Sequence, residues 1–383
     1  MGGSREVGAL LGRRVGEPVA EMGASGRHAN IEVTRAVAIL AVFGYHFLGF
    51  WRAAGGVARL GVAPHGLERR VLLYGGTWGV SVFVVVSALV LVRSLDQSSG
   101  LPAFYRRRLL RIFPLFWWIA VPLMVLAFAA GRMQADQLWK VPFWLTGTEI
   151  LWPGRLWPVT AAWWFITLIV QIYLVFPLLV AFARRFGPAP LMGFALVVNL
   201  ACLTLAQYGD HVFGRGAASF IGLAFVGSRL VEVAAGVSLG LLYWQWSAGR
   251  RPSAATVATV AWSTAAAYLA LRLFDWEFIA QPWALVFVVL MLPGVVRAAC
   301  GSRVMAPLLW VGVISYAFYL AHSLTMALLV QFLAARGVSS EPLALAASLV
   351  MALAVAAGFH FSYRALVVER RLLGLRPLTG EPR

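Results

Sequence analysis

The chain is short of charge. Of its 383 residues only 12% are Asp, Glu, Lys or Arg, and the acidic residues number 15. A soluble domain carries about 25% charged residues, so an ordinary water-solvated globule is excluded. Lysine is almost missing, Lys140 standing alone among 32 basic residues. Cysteine is scarce as well. Cys202 lies in an apolar run and Cys300 in a short basic stretch, at different expected depths, so no disulfide is expected. Residues 1–30 lack the apolar core of a signal peptide. Being polar, Gly-rich and basic, they read as a disordered cytoplasmic tail. Internal repeats are missing, and so is the alternating polar–apolar pattern of a membrane β-barrel.

What the chain does have is apolar length. It is 61% hydrophobic, and its mean hydropathy is +0.80. Apolar runs of about twenty residues, enough to cross a hydrocarbon core about 30 Å thick, recur along most of it. Ten spans are expected, at 33–50, 71–92, 112–130, 158–183, 189–207, 218–246, 254–273, 279–296, 307–334 and 342–363. The expected fold class is therefore all-α: a polytopic bundle of about ten transmembrane helices over residues 31–365, flanked by tails at 1–30 and 366–383. The net charge of +17 does not point to nucleic acid, because the arginines fall between apolar spans rather than on one face. With both termini cytoplasmic, twenty basic residues fall in inside segments and nine in outside ones, while Arg35, Arg229 and Arg272 lie within spans. That asymmetry follows the positive-inside rule and is a topology signal; an inner or plasma membrane is the expected location. Outside loops 51–70 and 131–157 are too short to fold alone, so the chemistry is expected in the bundle.

Ionisable groups inside a bilayer are costly and are functional candidates by default. His46 lies eleven positions after Arg35, which amounts to three helical turns plus about 20°. The two share a face about 16 Å apart along the axis. Such a face offers a cation near the cytosol and a titratable base deeper in; the alternative is an arginine snorkelling to headgroups and a histidine bonding a neighbouring helix. Arg106, Arg107, Arg108 and Arg111 precede the third span. Arg108 and Arg111, three apart, point the same way and suit a phosphate, either a ligand's or a lipid's. Arg229 and Glu232, also three apart, can neutralise each other. Ser315, Tyr319 and His322 form one polar stripe on the ninth span, and His360 lies near the inner end of the tenth.

Taken in order, these residues resemble the acyltransferase-3 family of integral membrane acyltransferases, over about residues 30–365. Arg35, ten residues and His46 match its first-span motif. GVSVFVVVSA, Gly79 to Ala88, is similar to its second-span motif, and Arg108 and Arg111 with Ile112 and Pro114 to its R-x-x-R…I-x-P. Trp164, Tyr173 and Pro177 are similar to its W…Y-x-x-x-P, and Glu232, Val233 and Gly236 to its E-F-x-x-G. Ser315, Tyr316, Tyr319 and His322 match S-Y-x-x-Y-x-x-H in full. The chain departs from the pattern at Ile169, where many members carry glutamate, and at Ala88, where they carry glycine. Gln171 and Glu232 are the nearby groups able to replace that glutamate.

The resemblance implies O-acyl transfer from cytoplasmic acyl-CoA, acetyl-CoA first among donors, to a hydroxyl. The acceptor it favours is a membrane-proximal glycan such as lipopolysaccharide or exopolysaccharide, with a secondary metabolite such as a macrolide second. It assigns catalysis to His46 with Arg35, Glu232 and His322, and donor binding to Arg108, Arg111 and Arg35. Substrate contacts fall to Tyr173, Ser87 and Tyr319. Acyl-CoA is then a co-substrate; no metal and no permanently bound cofactor is expected. An imidazole with an ordinary pKa near 6.5 suits general base work, and a covalent acyl-imidazole is the competing scheme. From another class, a transporter of small molecules or lipid-linked glycans would suit ten helices with intramembrane charges. The residues carry no signal for an oligomeric state.

Overall fold

The computed structural model describes residues 26–55, 67–129, 131, 133, 135–148, 160–213, 221–222, 224–247 and 277–372. Along them run α1 (Gly26–Ala53), α2 (Leu67–Asp96), α3 (Leu101–Ala129), the short α4 (Val141–Thr146), α5 (Trp164–Phe186), α6 (Pro188–Phe213), α7 (Leu230–Ser247), α8 (Glu277–Ala335) and α9 (Glu341–Leu372). Short 3-10 turns lie at Ala135–Lys140, Ala161–Trp163 and Val226–Arg229. Among the described residues there is no strand, and 7 helices are long and apolar enough to cross a membrane. The protein is an all-α polytopic membrane protein. The expected span at 254–273, and most of both expected tails, lie outside the described residues.

Three boundaries differ from the sequence expectation. α3 starts at Leu101, so the four arginines of its first half lie on the helix and not in a loop before it. A tight turn at Ser98–Gly100, with Gly100 at φ +133°, and a proline at the second helical position set this early start. Where one span was expected at 218–246, the 3-10 turn Val226–Arg229 feeds α7, putting Arg229 and Glu232 at a helix start. The spans expected at 279–296 and 307–334 are joined in α8, whose 59 residues run through 297–306 without a break. That stretch holds one glycine and no proline, and a lone glycine weakens a helix by only about 1 kcal/mol.

Lipid offers no hydrophobic drive for helices to associate, so close backbone approach at small residues has to do it. A Cβ on Gly79 would stand 2.5 Å from the Ala38 carbonyl oxygen of α1, and one on Gly312 would stand 2.2 Å from that of Glu32. One on Gly236 would meet both the Ala88 methyl and the Val85 carbonyl oxygen at 2.5 Å. α1, α2, α7 and α8 thus meet at glycines. Gly236 of α7 thus leaves room for the Ala88 methyl of α2. Apolar side chains left outside, such as Leu178 at 72% exposure on α5, form the surface a bilayer solvates.

Two contacts fix the relative direction of α1 and α8. Gly312 lies against Glu32, and His322 against His46. Both partners advance along the chain together, so the helices run parallel. α9 follows a turn at Gly337–Val338 and packs back along α8. The C-terminal half of α9 therefore returns to the level at which α1 begins.

Candidate active site

A cavity of about 990 Å³ lies between α1, α2, α3, α5, α8 and α9. Arg35, His46, Ser87, Arg108, Arg111, Tyr173 and Tyr319 all line it. Seven of the nine site residues expected from the sequence are thus brought to one space. The other two, His322 and Glu232, stand behind its wall.

His322 is completely buried, and its ring stacks on Phe318 with an interplanar angle of 2°. Its Nδ1 faces the Tyr319 carbonyl oxygen at 2.8 Å and that of Phe318 at 3.1 Å. Carbonyls only accept, so in the neutral ring Nδ1 carries the proton and Nε2 is bare. His46 Nδ1 lies 2.9 Å from that bare nitrogen and must donate to it. The consequence reaches the cavity: His46 keeps its unprotonated Nε2 as the free nitrogen. One backbone turn of α8 thereby selects the tautomer of a ring on α1.

At the other end of the α1 face, Arg35 donates to Glu32 at 2.8 Å. Arg108 and Arg111 enter from α3, and the three guanidiniums lie close enough to repel one another. Tyr173 lines the same cavity, near enough to all three to interact electrostatically. Among the described residues, Arg35 alone of the three is paired with a carboxylate. Arg108 Nε is buried without a hydrogen-bond partner among the described residues. Repelling cations and an orphaned donor in a low-dielectric cavity are what an absent anion would satisfy.

Glu232 accepts from Ser81 Oγ at 2.6 Å and from Arg229 Nη1 at 3.0 Å, while its Oε2 is buried without a partner among the described residues. It reaches the cavity only through Arg229, which lines the wall. Ile169, where the resemblance implied a glutamate in other members, also lines the cavity with an apolar side chain. Gln171 does not fill that place. Its amide donates to the Ala224 carbonyl at 2.7 Å and accepts from Val226 N–H at 3.2 Å, holding the chain into α7. Tyr319 donates its hydroxyl proton to the Ala162 carbonyl. Thr160 Oγ1 donates to Ser323 Oγ at 2.9 Å, and both line the deep end. Among the described residues no three His, Cys, Asp or Glu side chains are grouped as metal ligands would be.

The sequence reading missed Glu32, although its spacing of three from Arg35 was visible. It also missed Ser81, which only tertiary packing brings to Glu232. His360, Tyr363 and Arg364 of α9 line the same cavity, and nothing local in the sequence marked the last two.

The sequence pattern of the acyltransferase-3 family, described as an acyltransferase domain, matches residues 28–361. The chain belongs to the acyltransferase-3 family. The chain is also 29% identical over 164 residues to Nodulation protein 10 of Rhizobium leguminosarum bv. viciae, covering 36% of the chain and 43% of that relative. It thus spans less than half the length of the curated relative it matches. No solved structure matches it. The family is described as one of acyltransferase domains.

Proposed function

We propose that this acyltransferase moves an acetyl group from cytoplasmic acetyl-CoA to a hydroxyl of a membrane-proximal glycan. The observation that carries the reading is a single cavity with a cationic end at Arg35, Arg108 and Arg111 and a bare imidazole nitrogen at His46. Arg108 and Arg111 hold donor phosphates through charge-assisted hydrogen bonds, and Arg35, steadied by Glu32, borders the arm that leads to the thioester. His46 lies about 16 Å further along α1. There Nε2 takes the proton as the acceptor oxygen attacks the thioester carbonyl; the C–S bond breaks, and the sulfur leaves with the proton returned by Nε2. His322 holds Nδ1–H throughout and stabilises the imidazolium. Ser87 is placed to contact the carbonyl oxygen. Thr160, Ser323 and the half-exposed Tyr45 supply the hydroxyls and aromatic surface against which a sugar is held. The basic surplus of the expected inside segments supports termini in the cytoplasm, the arginine end facing the donor's compartment.

The test is free-thiol release by the purified protein in nanodiscs, given acetyl-CoA and a panel of glycans and macrolides. Release is expected to need both an acceptor and His46, with His46→Ala reducing turnover by about 10²–10⁴ while acetyl-CoA still binds. Normal turnover by His46→Ala would remove the imidazole from the chemistry. Absence of acetyl-CoA binding to the wild type would remove the donor.

A further inference from the structure

We infer that His360 and Arg364 of α9 form a second anion subsite, one that takes the phosphomonoester of the acyl donor. This deepens the donor assignment proposed above and rests on it. The placement comes from helix direction. α1 and α8 run parallel, with Glu32 against Gly312 and His46 against His322. Counting back equally from the turn at Gly337–Val338 sets Arg364 level with Gly312, and so with the Glu32–Arg35 layer. By the same count His360 falls level with Tyr316, whose hydroxyl donates to the Ile112 carbonyl at 3.1 Å, beside Arg111. The α9 pair therefore faces the arginines of α1 and α3 at one height, and all of them line one cavity.

The pair is built for an anion. His360 and Arg364 are four residues apart, share a helix face and lie near enough to interact electrostatically. Among the described residues no carboxylate pairs with Arg364. It is exposed where His360 is half-buried, so the pair runs from the cavity rim inwards.

The number of charges asks for such a site. Coenzyme A carries a 5′-diphosphate and a 3′-phosphomonoester on one ribose, and a phosphomonoester alone brings a charge of about −1.5 to −2 near pH 7. Arg35 is already paired with Glu32, which leaves Arg108 and Arg111 for the diphosphate. The ribose then presents its 3′-phosphate away from α3, to the helix facing it. The same chemistry would also suit a lipid phosphate at the membrane surface, since Arg364 closes the span Glu341–Ala365.

The two sources separate in one experiment. Binding of acetyl-CoA and of 3′-dephospho-acetyl-CoA is measured on the full chain in nanodiscs of neutral lipid and of lipid with anionic headgroups. The wild type is expected to prefer acetyl-CoA by about tenfold, the size of one charge-assisted hydrogen bond. Arg364→Ala should bring that preference to near unity by weakening acetyl-CoA alone; Arg364→Lys should restore most of it, and His360→Gln should lose part. Arg108→Ala with Arg111→Ala should weaken both donors together and keep the preference. Equal binding of the two donors by the wild type overturns the subsite while leaving the acyl-CoA donor in place. So does an Arg364→Ala effect that is the same for both donors and follows anionic lipid content, which assigns Arg364 to a headgroup. Failure of both donors to bind would overturn the donor reading and the subsite with it.

Discussion

At the residue scale the site turns on which nitrogen carries which proton. His322 has no surface to the cavity, yet it decides that His46 presents a bare Nε2 there. His322→Phe keeps an aromatic ring on Phe318 but removes the acceptor from His46 Nδ1–H. It should lower kcat by about tenfold to a hundredfold, part of what a positioned base contributes, and leave KM for acetyl-CoA unchanged; steady-state thiol release reads both. Glu232 is different in kind. With its partners Arg229 and Ser81 it is a buried ion pair, and breaking such a pair costs about 3–5 kcal/mol. Glu232→Ala should therefore depress the unfolding temperature in detergent, and Arg229→Met added to it should recover much of that loss. A Glu232→Ala protein with unchanged melting and no turnover would instead place the carboxylate in the chemistry. Arg35, His46, Arg108 and Arg111 were legible because the residue types are rare in apolar spans and their spacing declares a shared face. Ser81 and the pinned Gln171 were not, since serine and glutamine are unremarkable on a helix until a distant backbone reaches them.

Among the elements, glycine sets how near the helices come. Gly312→Ala would push a methyl against the backbone carbonyl of Glu32, where no flexible side chain can yield. Overpacking of this sort costs about 1–3 kcal/mol, and it should lower the melting temperature and weaken donor binding together, because the same contact sets Arg35 beside α8. Thermal unfolding and acetyl-CoA titration on one preparation check both. Helix type was legible throughout from apolar length. Helix ends were less so: the RRRLLR run reads as a loop by charge but is a good helix former after a Gly–Leu–Pro start, and α8 continues where a break was expected because nothing in 297–306 stops it. Which helix lies beside which was not legible at all, for it depends on carbonyl-to-glycine contacts that have no period.

For the whole molecule, the bilayer is the second half of the fold. Leu174 and Leu178, one turn apart on α5 and 60% and 72% exposed, mark an apolar face that none of the described residues covers. Leu178→Asp should cost about 2.5–3.5 kcal/mol of insertion if it lies near the bilayer centre, and the membrane-associated fraction of expressed protein should fall accordingly. The cavity, too, belongs to the whole chain, as its lining comes from residues 32 to 364. The paired imidazoles at its deep end set a limit on traffic through it. His322 Nδ1 ends at backbone carbonyls, which cannot accept a proton and pass it on. Were His46 the base proposed above, a proton it lifts would enter a cul-de-sac and leave through the door by which it came. Under the function proposed above, acceptor oxygen and departing sulfur would accordingly visit the same point in space, one after the other. A site wired this way would, on that proposal, join two compartments chemically without becoming a conduit for protons between them.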